Sequence, residues 1–169
     1  MSQDSEEKNQ IYHIDADVLL NYQWYDDPGQ QDPVRSLFNR KNIGDIEIRI
    51  NTFALGEVLQ NIFKKHLDRY EKIDELKKLY ESNRLKIFEL RNIETKSLTE
   101  QIGVLRSKDN RIGNGDILNL AIFVLDPDAK KFKTFSIDIA YSQKIHDYLD
   151  NFGKKISPME FRKEKKKGL

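Results

Sequence analysis

The chain reads as an α/β domain built around a mainly parallel sheet, and three observations predict it. Short apolar or alternating runs, near residues 11–14, 45–50, 85–88 and 134–137, are separated by longer stretches whose apolar residues recur every three or four positions. Strand-like and helix-like patterns therefore alternate, the order expected of helices layered on a parallel sheet. The 169 residues show no internal repeat and no dividing linker, which suits one domain with a real core.

Each element has its own signal. Residues 1–10 are polar and lack the apolar segment of a secretory signal, so they read as a leader. Ile11, Tyr12, His13 and Ile14 form a short buried strand, followed at once by an acidic turn. A helix begins near Val18 and is broken within 26–32, where Pro28 and Gly29 stand. Pro33 opens the next helix, to about Arg40. Ile46, Ile48 and Ile50 alternate with charged residues, a period-two strand nearer the sheet edge than 11–14. Phe53, Leu55, Val58, Leu59, Ile62 and Phe63 follow at helical spacing. Leu67, Tyr70, Ile73, Leu76, Leu79 and Tyr80 continue it to about Glu81, with a break into two helices at 66–68. A strand at 85–88 precedes a helix over 94–107 carrying Leu98, Ile102 and Leu105. Residues 109–115 form a polar loop, and 116–125 an apolar helix stopped by Pro127. A strand at 134–137, a helix at 140–149 and a last strand at 155–157 complete the domain, taken as 11–157, before a basic tail at 158–169.

Composition narrows the function. Hydrophobic residues make up 38% and charged residues 34%, and no apolar run approaches the ~20 residues that span a bilayer. There is no cysteine, which removes disulfides, thiolate metal sites and cysteine nucleophiles and fits a reducing cytoplasm. Net charge is +1, so any nucleic-acid contact must come from local clusters such as Lys64–Lys65, Lys130–Lys131 and the basic tail.

Four carboxylates stand where ordinary surface explains them poorly. Asp15 ends the first strand, Glu57 interrupts the apolar stripe of a helix opening near Asn51 and Thr52, Asp116 follows Gly-Asn-Gly at the mouth of an apolar helix, and Asp138 closes Phe135-Ser136-Ile137. Sites in parallel sheets form beyond the carboxyl ends of strands. Carboxylates converging there repel one another and need a bound cation or protonation. Mg²⁺ or Mn²⁺ prefers such hard oxygen ligands, and one or two such ions can activate water and clamp a phosphodiester. Simpler roles compete. Asp15 or Asp17 can cap the helix at 18–25. Glu57 can sit on a solvated rim, although it does not fit a capping box. Asp116 suits a helix N-terminus without a metal, and Asp138 can cap the helix from Ala140.

The spaced pattern resembles the PIN-domain ribonuclease family. The matching stretches are IDADVLL at 14–20, TFALGEV at 52–58, GNGDILNLA at 113–121 and FSID at 135–138. Asp15, Glu57 and Asp116 match the family's acidic positions, and Ser136-Ile137-Asp138 matches its hydroxyl–any–aspartate motif. The resemblance covers about 11–157. It implies a three-layer α/β/α sandwich with a five-stranded parallel sheet and divalent-metal-dependent cleavage of RNA. It also implies, as in many members, a toxin held by an antitoxin protein, often as a homodimer. Two departures stand out. Asp17 occupies a position that often holds serine, threonine or asparagine, where a carboxylate either adds a ligand or disturbs the metal. Ser136 replaces the commoner threonine but keeps the hydroxyl.

Supporting roles fall to Asp17, Asn114 and Ser136. Asn114 reads as a helix cap or a partner near Asp116, and Ser136 as a group steadying Asp138 or the metal site. Arg111 and Lys108 are the substrate-facing cations, and Arg35, Arg40 and Lys41 are further candidates for phosphate. Tyr22, Trp24 and Tyr25 can stack on bases or pack. His13 reads as packed within its strand, His66 and His146 as helix-surface residues. Gly113 and Gly115 make the turn that delivers Asp116. Two other functions stay open. One is a haloacid-dehalogenase-type phosphatase, with Asp15 as nucleophile and Asp17 as acid. The other is a catalytically silent RNA-binding module.

Overall fold

The computed structural model describes residues 10–23, 33–39, 46–65 and 68–160. The sequence expectations for the leader, for Trp24, Tyr25 and the break at 26–32, for Arg40, Lys41 and His66, and for most of the basic tail lie outside these residues.

Five strands form one sheet: β1 (Gln10–Ile14), β2 (Ile46–Asn51), β3 (Lys86–Phe88), β4 (Ala129–Thr134) and β5 (Lys155–Pro158). Their order is β3-β2-β1-β4-β5, and every neighbouring pair is parallel. The helices are α1 (Ala16–Gln23), α2 (33–39), α3 (Thr52–Lys65), α4 (Arg69–Glu81), α5 (Thr95–Lys108), α6 (Asn114–Leu125), α7 (Ile137–Ala140) and α8 (Gln143–Asp150). The sheet is therefore the core of an α/β/α sandwich, and β1, the most continuously apolar strand, sits at its centre.

The period-two rule assigns the two faces. Tyr12 and Ile14 of β1 join Ile46, Ile48 and Ile50 of β2 in one core with Val18 and Leu19 of α1, Ala54, Val58 and Ile62 of α3, and Leu76 and Leu79 of α4. Ile11 faces the other way. There Phe132 of β4 and Ile156 of β5 pack with Leu120, Ala121 and Phe123 of α6, Leu105 of α5, and Ile145 and Leu149 of α8. Each fully buried aliphatic side chain of this kind contributes about 1.5–3 kcal/mol. The i, i+4, i+8 spacing of Ala54, Val58 and Ile62 buries one stripe of α3 and leaves Glu57 at its edge.

Two expectations are corrected. The fourth strand is not 134–137 but Ala129–Thr134, AKKFKT. Its lysines hide the apolar signal, yet Ala129, Phe132 and Thr134 are buried while Lys131 and Lys133 carry their ammonium groups 5.4 and 5.5 Å from the Tyr12 ring centroid. The helix expected over 140–149 is two, α7 and α8, separated at Tyr141 and Ser142, because Ser136 caps a short first helix by accepting the N–H of Ile139. Asp138 consequently lies in α7, beyond the end of β4, rather than closing a strand.

Candidate active site

The site forms where β1, β2 and β4 end and α1, α3, α6 and α7 begin. Asp15 follows β1 directly, is only 4% exposed, and accepts the N–H of Ala16 at 2.8 Å through Oδ1. It thus fills part of the capping role at the start of α1. Asn119, one helical turn beyond Asp116 on α6, donates its amide to Asp15 Oδ1 at 2.9 Å and reaches Glu57 Oε2 at 3.4 Å. Asn119 is itself oriented by Asn51 at the end of β2, whose amide donates to Asn119 Oδ1 at 2.9 Å. Asn51 Oδ1 accepts the N–H of Ala54 at 2.8 Å, which caps α3 and fixes the turn that presents Glu57. This chain of amides ties three separate elements to one point.

Thr134, the last residue of β4, donates its hydroxyl to Asp15 Oδ2 at 3.0 Å and accepts the N–H of Ser136 at 2.9 Å. Asp17 Oδ2 accepts the N–H of Phe135 at 3.1 Å. Asp17 Oδ1 is buried with no hydrogen-bond partner among the described residues. Ser136 donates its hydroxyl to Asp116 Oδ2 at 3.1 Å. The serine therefore steadies Asp116; of the two roles expected of it, steadying Asp138 or serving the metal site, the first is not seen, because α7 turns Asp138 outward to the exposed rim.

The groups bonded to these carboxylates are neutral, and the carboxylates raise one another's proton affinity. Burial pushes Asp15 up to about 7, helped by the charges of Asp116 and Glu57. Burial and the neighbouring charge of Asp15 push Asp17 well above the usual carboxylate range. Burial raises Glu57 too, with a contribution from Asp116, and raises Asp116, with a contribution from Asp138. Asp15, Asp17, Glu57 and Asp116 thus form one electrostatically connected set, and Asp138 joins it at the edge. Among the described residues, no three Asp, Glu, His or Cys side chains stand close enough to grip a single ion as placed. The donor chemistry nonetheless fits a hard divalent cation: the oxygens are carboxylate, desolvated and mutually repelling, and one is buried with a vacant lone pair.

No family model matches the sequence, and neither does any curated protein. Among solved structures, the chain is similar to VapBC2 from Rickettsia felis bound to a DNA fragment from their promoter, with 15% identity, TM-score 0.61, and coverage of 89% of this chain and 100% of that one. It is similar to DNA-bound VapBC from Salmonella typhimurium, at 13% identity and TM-score 0.61 over 89% of this chain and 99% of the other. VapBC-1 from nontypeable Haemophilus influenzae gives 12% identity and TM-score 0.58 over 89% and 98%. The fold is PIN-like. The expected five-stranded parallel sheet and three-layer sandwich are both present.

Within this PIN-like fold the other candidates separate. Asn114 does not cap α6, since Gly113 holds that position without a side-chain bond, and its Oδ1 instead accepts from Arg106 at 2.5 Å. Arg111 forms a two-pronged pair with Asp109, Nε to Oδ1 at 2.9 Å and Nη2 to Oδ2 at 2.8 Å, yet its side chain is 78% exposed and feels the charge of Asp138. Lys108 is exposed, 5.6 Å from the Tyr148 ring centroid. Tyr22 packs against Phe38 at 4.6 Å between ring centroids rather than offering a free face. His146 is half-buried and bonds the carbonyl of Ala140 at 2.8 Å. Gly115 lies inside α6 rather than in the turn expected of it, and its role is one of space: a Cβ there would lie 3.0 Å from Glu57 Oε1, so its bareness makes room for that carboxylate.

Sequence reasoning missed Asn51, Asn119 and Thr134. Asn119 carries a usable signal, an amide inside the otherwise apolar run ILNLAIFVL one turn after Asp116. Also missed was a buried network on the α6 side of the sheet. His13 Nε2 lies 2.6 Å from Asp126 Oδ2, and Arg49 Nη1 donates to both Asp126 oxygens at 2.8 and 3.1 Å. His13 is indeed packed within its strand, as expected.

Proposed function

We propose that the chain is a divalent-metal-dependent endoribonuclease that hydrolyses RNA phosphodiester bonds. The observation that carries this reading is the set of desolvated, mutually repelling carboxylates at the carboxyl edge of a PIN-like sheet, bonded, among the described residues, to neutral amides and hydroxyls. Asp15, Asp116, Asp138 and Glu57 would hold Mg²⁺ or Mn²⁺, with Asp17 Oδ1 as a further oxygen. A divalent ion held there supplies Lewis-acid activation of water and neutralises charge on the phosphate. The protein's own contribution is positional. Asn119 and Thr134 fix the two oxygens of Asp15, Ser136 fixes Asp116, and the Asn51–Asn119 amides keep Glu57 and Asp15 in register. Asp15, whose burial pushes its proton affinity up to about 7, would have to give up that proton to hold a cation, so binding there would strengthen as pH rises.

The likeness to VapBC complexes supports the further reading that the chain is the toxin of a toxin–antitoxin pair, with an antitoxin protein as partner; assembly as a homodimer rests on the family resemblance of the sequence alone. The phosphatase alternative is less well supported, since the side-chain oxygens of Asp15 are held by Ala16, Asn119 and Thr134, an arrangement that orients a carboxylate rather than frees a nucleophile. A silent RNA-binding module would have no use for the complete acidic set.

The test is incubation with mixed RNA in Mg²⁺ or Mn²⁺ against chelator, for wild type and Asp15→Asn in parallel. Wild type should cleave only with the ion. Asp15→Asn should lose more than the about 10–100-fold typical of an outer-shell partner. Undiminished cleavage by folded Asp15→Asn would refute the reading.

A further inference from the structure

We propose that the cleft between the α5–α6 loop and the α7–α8 junction is a subsite for single-stranded RNA, in which Tyr141 stacks on an unpaired base and Lys108 and Lys144 take the flanking phosphates. The subsite rests on the ribonuclease reading above.

Three observations carry it. The cleft has a volume of about 650 Å³, within the range of sites that enclose a nucleotide-sized ligand, and Arg106, Lys108, Arg111 and Lys144 all line it. Its one carboxylate, Asp109, is already committed: Arg111 and Ser142 both donate to it, and the Arg111 bond holds it well below the usual carboxylate range. Arg106 is spent on the loop, donating to the carbonyl of Ile112 at 2.6 Å, while Lys144 is exposed and makes no ion pair among the described residues. The cleft therefore presents uncompensated positive charge, the complement of a phosphate backbone.

Tyr141 supplies the second observation. It sits in the break between α7 and α8, 82% exposed, with no ring or polar partner for its side chain among the described residues. A large aromatic held out beside lysines is the arrangement that binds unpaired bases, because stacking uses the base face that a duplex hides. The third observation is continuity. A smaller recess of about 130 Å³, lined by Arg111, Asp138 and Tyr141, adjoins the cleft and shares Asp109, Arg111 and Tyr141 with it. A strand lying in the cleft is led past Arg111 to Asp138, the rim of the acidic set.

The experiment measures binding of a fluorescent mixed-sequence single-stranded RNA 12-mer to full-length protein in chelator, so that no chemistry is needed, and cleavage of the same RNA in Mn²⁺. Tyr141→Ala should weaken binding by about 5- to 100-fold. Tyr141→Phe, which keeps the ring, should stay within about twofold of wild type. Lys144→Glu should weaken binding and flatten its salt dependence by about 0.7 or more in log–log slope. A hairpin duplex should bind more weakly than the single strand, and poly-glutamate should compete poorly. Unchanged affinity in Tyr141→Ala, equal loss in Tyr141→Phe, equal binding of duplex, or displacement by poly-glutamate at matched charge would each overturn the subsite. Absence of Mn²⁺-dependent cleavage by wild type would instead overturn the ribonuclease reading, and the binding series separates the two failures.

Discussion

Asp15 and Asp126 are both buried carboxylates in contact with the central strand, one at its end and one beneath it, and they differ in the charge around them. Asp126 accepts from His13 and Arg49 and from the N–H of Asp128. Burial alone would raise its proton affinity, but these bonds outweigh burial and hold it well below the usual carboxylate range. Lys154 lies nearby, bonding the carbonyls of Asp126 and Ala129, and burial lowers it to about 8. Glu47 is likewise held down by Lys86 and Arg49. Among the described residues, Asp15 receives an amide, a hydroxyl and a backbone N–H, and its strongest electrostatic neighbours are other carboxylates. The same small domain thus surrounds one buried acid with cations and the other set with neutral groups. That contrast, more than the presence of acids as such, is what the proposed cation site at the carboxyl edge of the sheet rests on.

The comparison can be broken first at Asp126. Asp126→Ala strips His13 and Arg49 of their partner, and loss of one member of a buried charged pair costs about 3–5 kcal/mol. Urea unfolding should show that loss, while Mn²⁺ affinity of the folded variant stays unchanged. Stability equal to wild type would mean that the network contributes nothing.

Asn119→Leu attacks the other region. It leaves the Asn51 amide without its acceptor and Asp15 without its donor, for about 1–3 kcal/mol of stability. It should also weaken Mn²⁺ binding by about 10–100-fold, as expected when an orienting partner is lost. A stable variant with wild-type Mn²⁺ affinity would show that the amide chain does not position the carboxylates.

Proton affinity sharpens the contrast further. Asp15 binds its proton more tightly folded than unfolded, so its contribution to stability is complete below about pH 4 and is lost as pH rises through about 7. His13 runs the other way, since burial lowers its proton affinity and it favours the fold as pH rises toward its ordinary value. Comparing wild type with Asp15→Asn cancels His13. In metal-free buffer, the thermal midpoint of Asp15→Asn should gain on wild type from pH 5 to about pH 7 and then level off, and added Mn²⁺ should close that gap. A constant difference across the range would show that Asp15 is not protonated by its surroundings.

The smallest effect is expected at Gly115. A methyl group there meets Glu57 Oε1 at 3.0 Å, so Gly115→Ala must displace that carboxylate by a few tenths of an ångström. Alanine in a helix offsets this by about 0.5–1 kcal/mol, leaving stability near wild type while cleavage falls. Unchanged cleavage would show that the position of Glu57 is not critical.

Much of the layering was legible because burial imposes periodicity: the isoleucines of β2 and the stripe of α3 announce which face is covered. β4 was misplaced because three of its six residues are lysines, whose stems pack while their charges advertise surface. The α7–α8 break escaped because no glycine or proline marks it, only the Ser136 cap. Within the site, Asp15, Glu57 and Asp116 stood out as acids at element ends. Asn119 and Thr134 did not, since a neutral hydrogen-bonding side chain looks ordinary until its partner, 104 or 119 residues away, is known. The His13–Asp126 pair spans 113 residues and is invisible to any local pattern.

The central claim is that the uncompensated carboxylates bind a divalent cation, and calorimetric titration of Mn²⁺ into metal-free protein at pH 7.5 tests it most directly. Wild type should show saturable binding that Asp15→Asn and Asp116→Asn each weaken by at least about tenfold and that Asp126→Asn leaves intact. No heat from wild type, or equal binding by all four proteins, would contradict it.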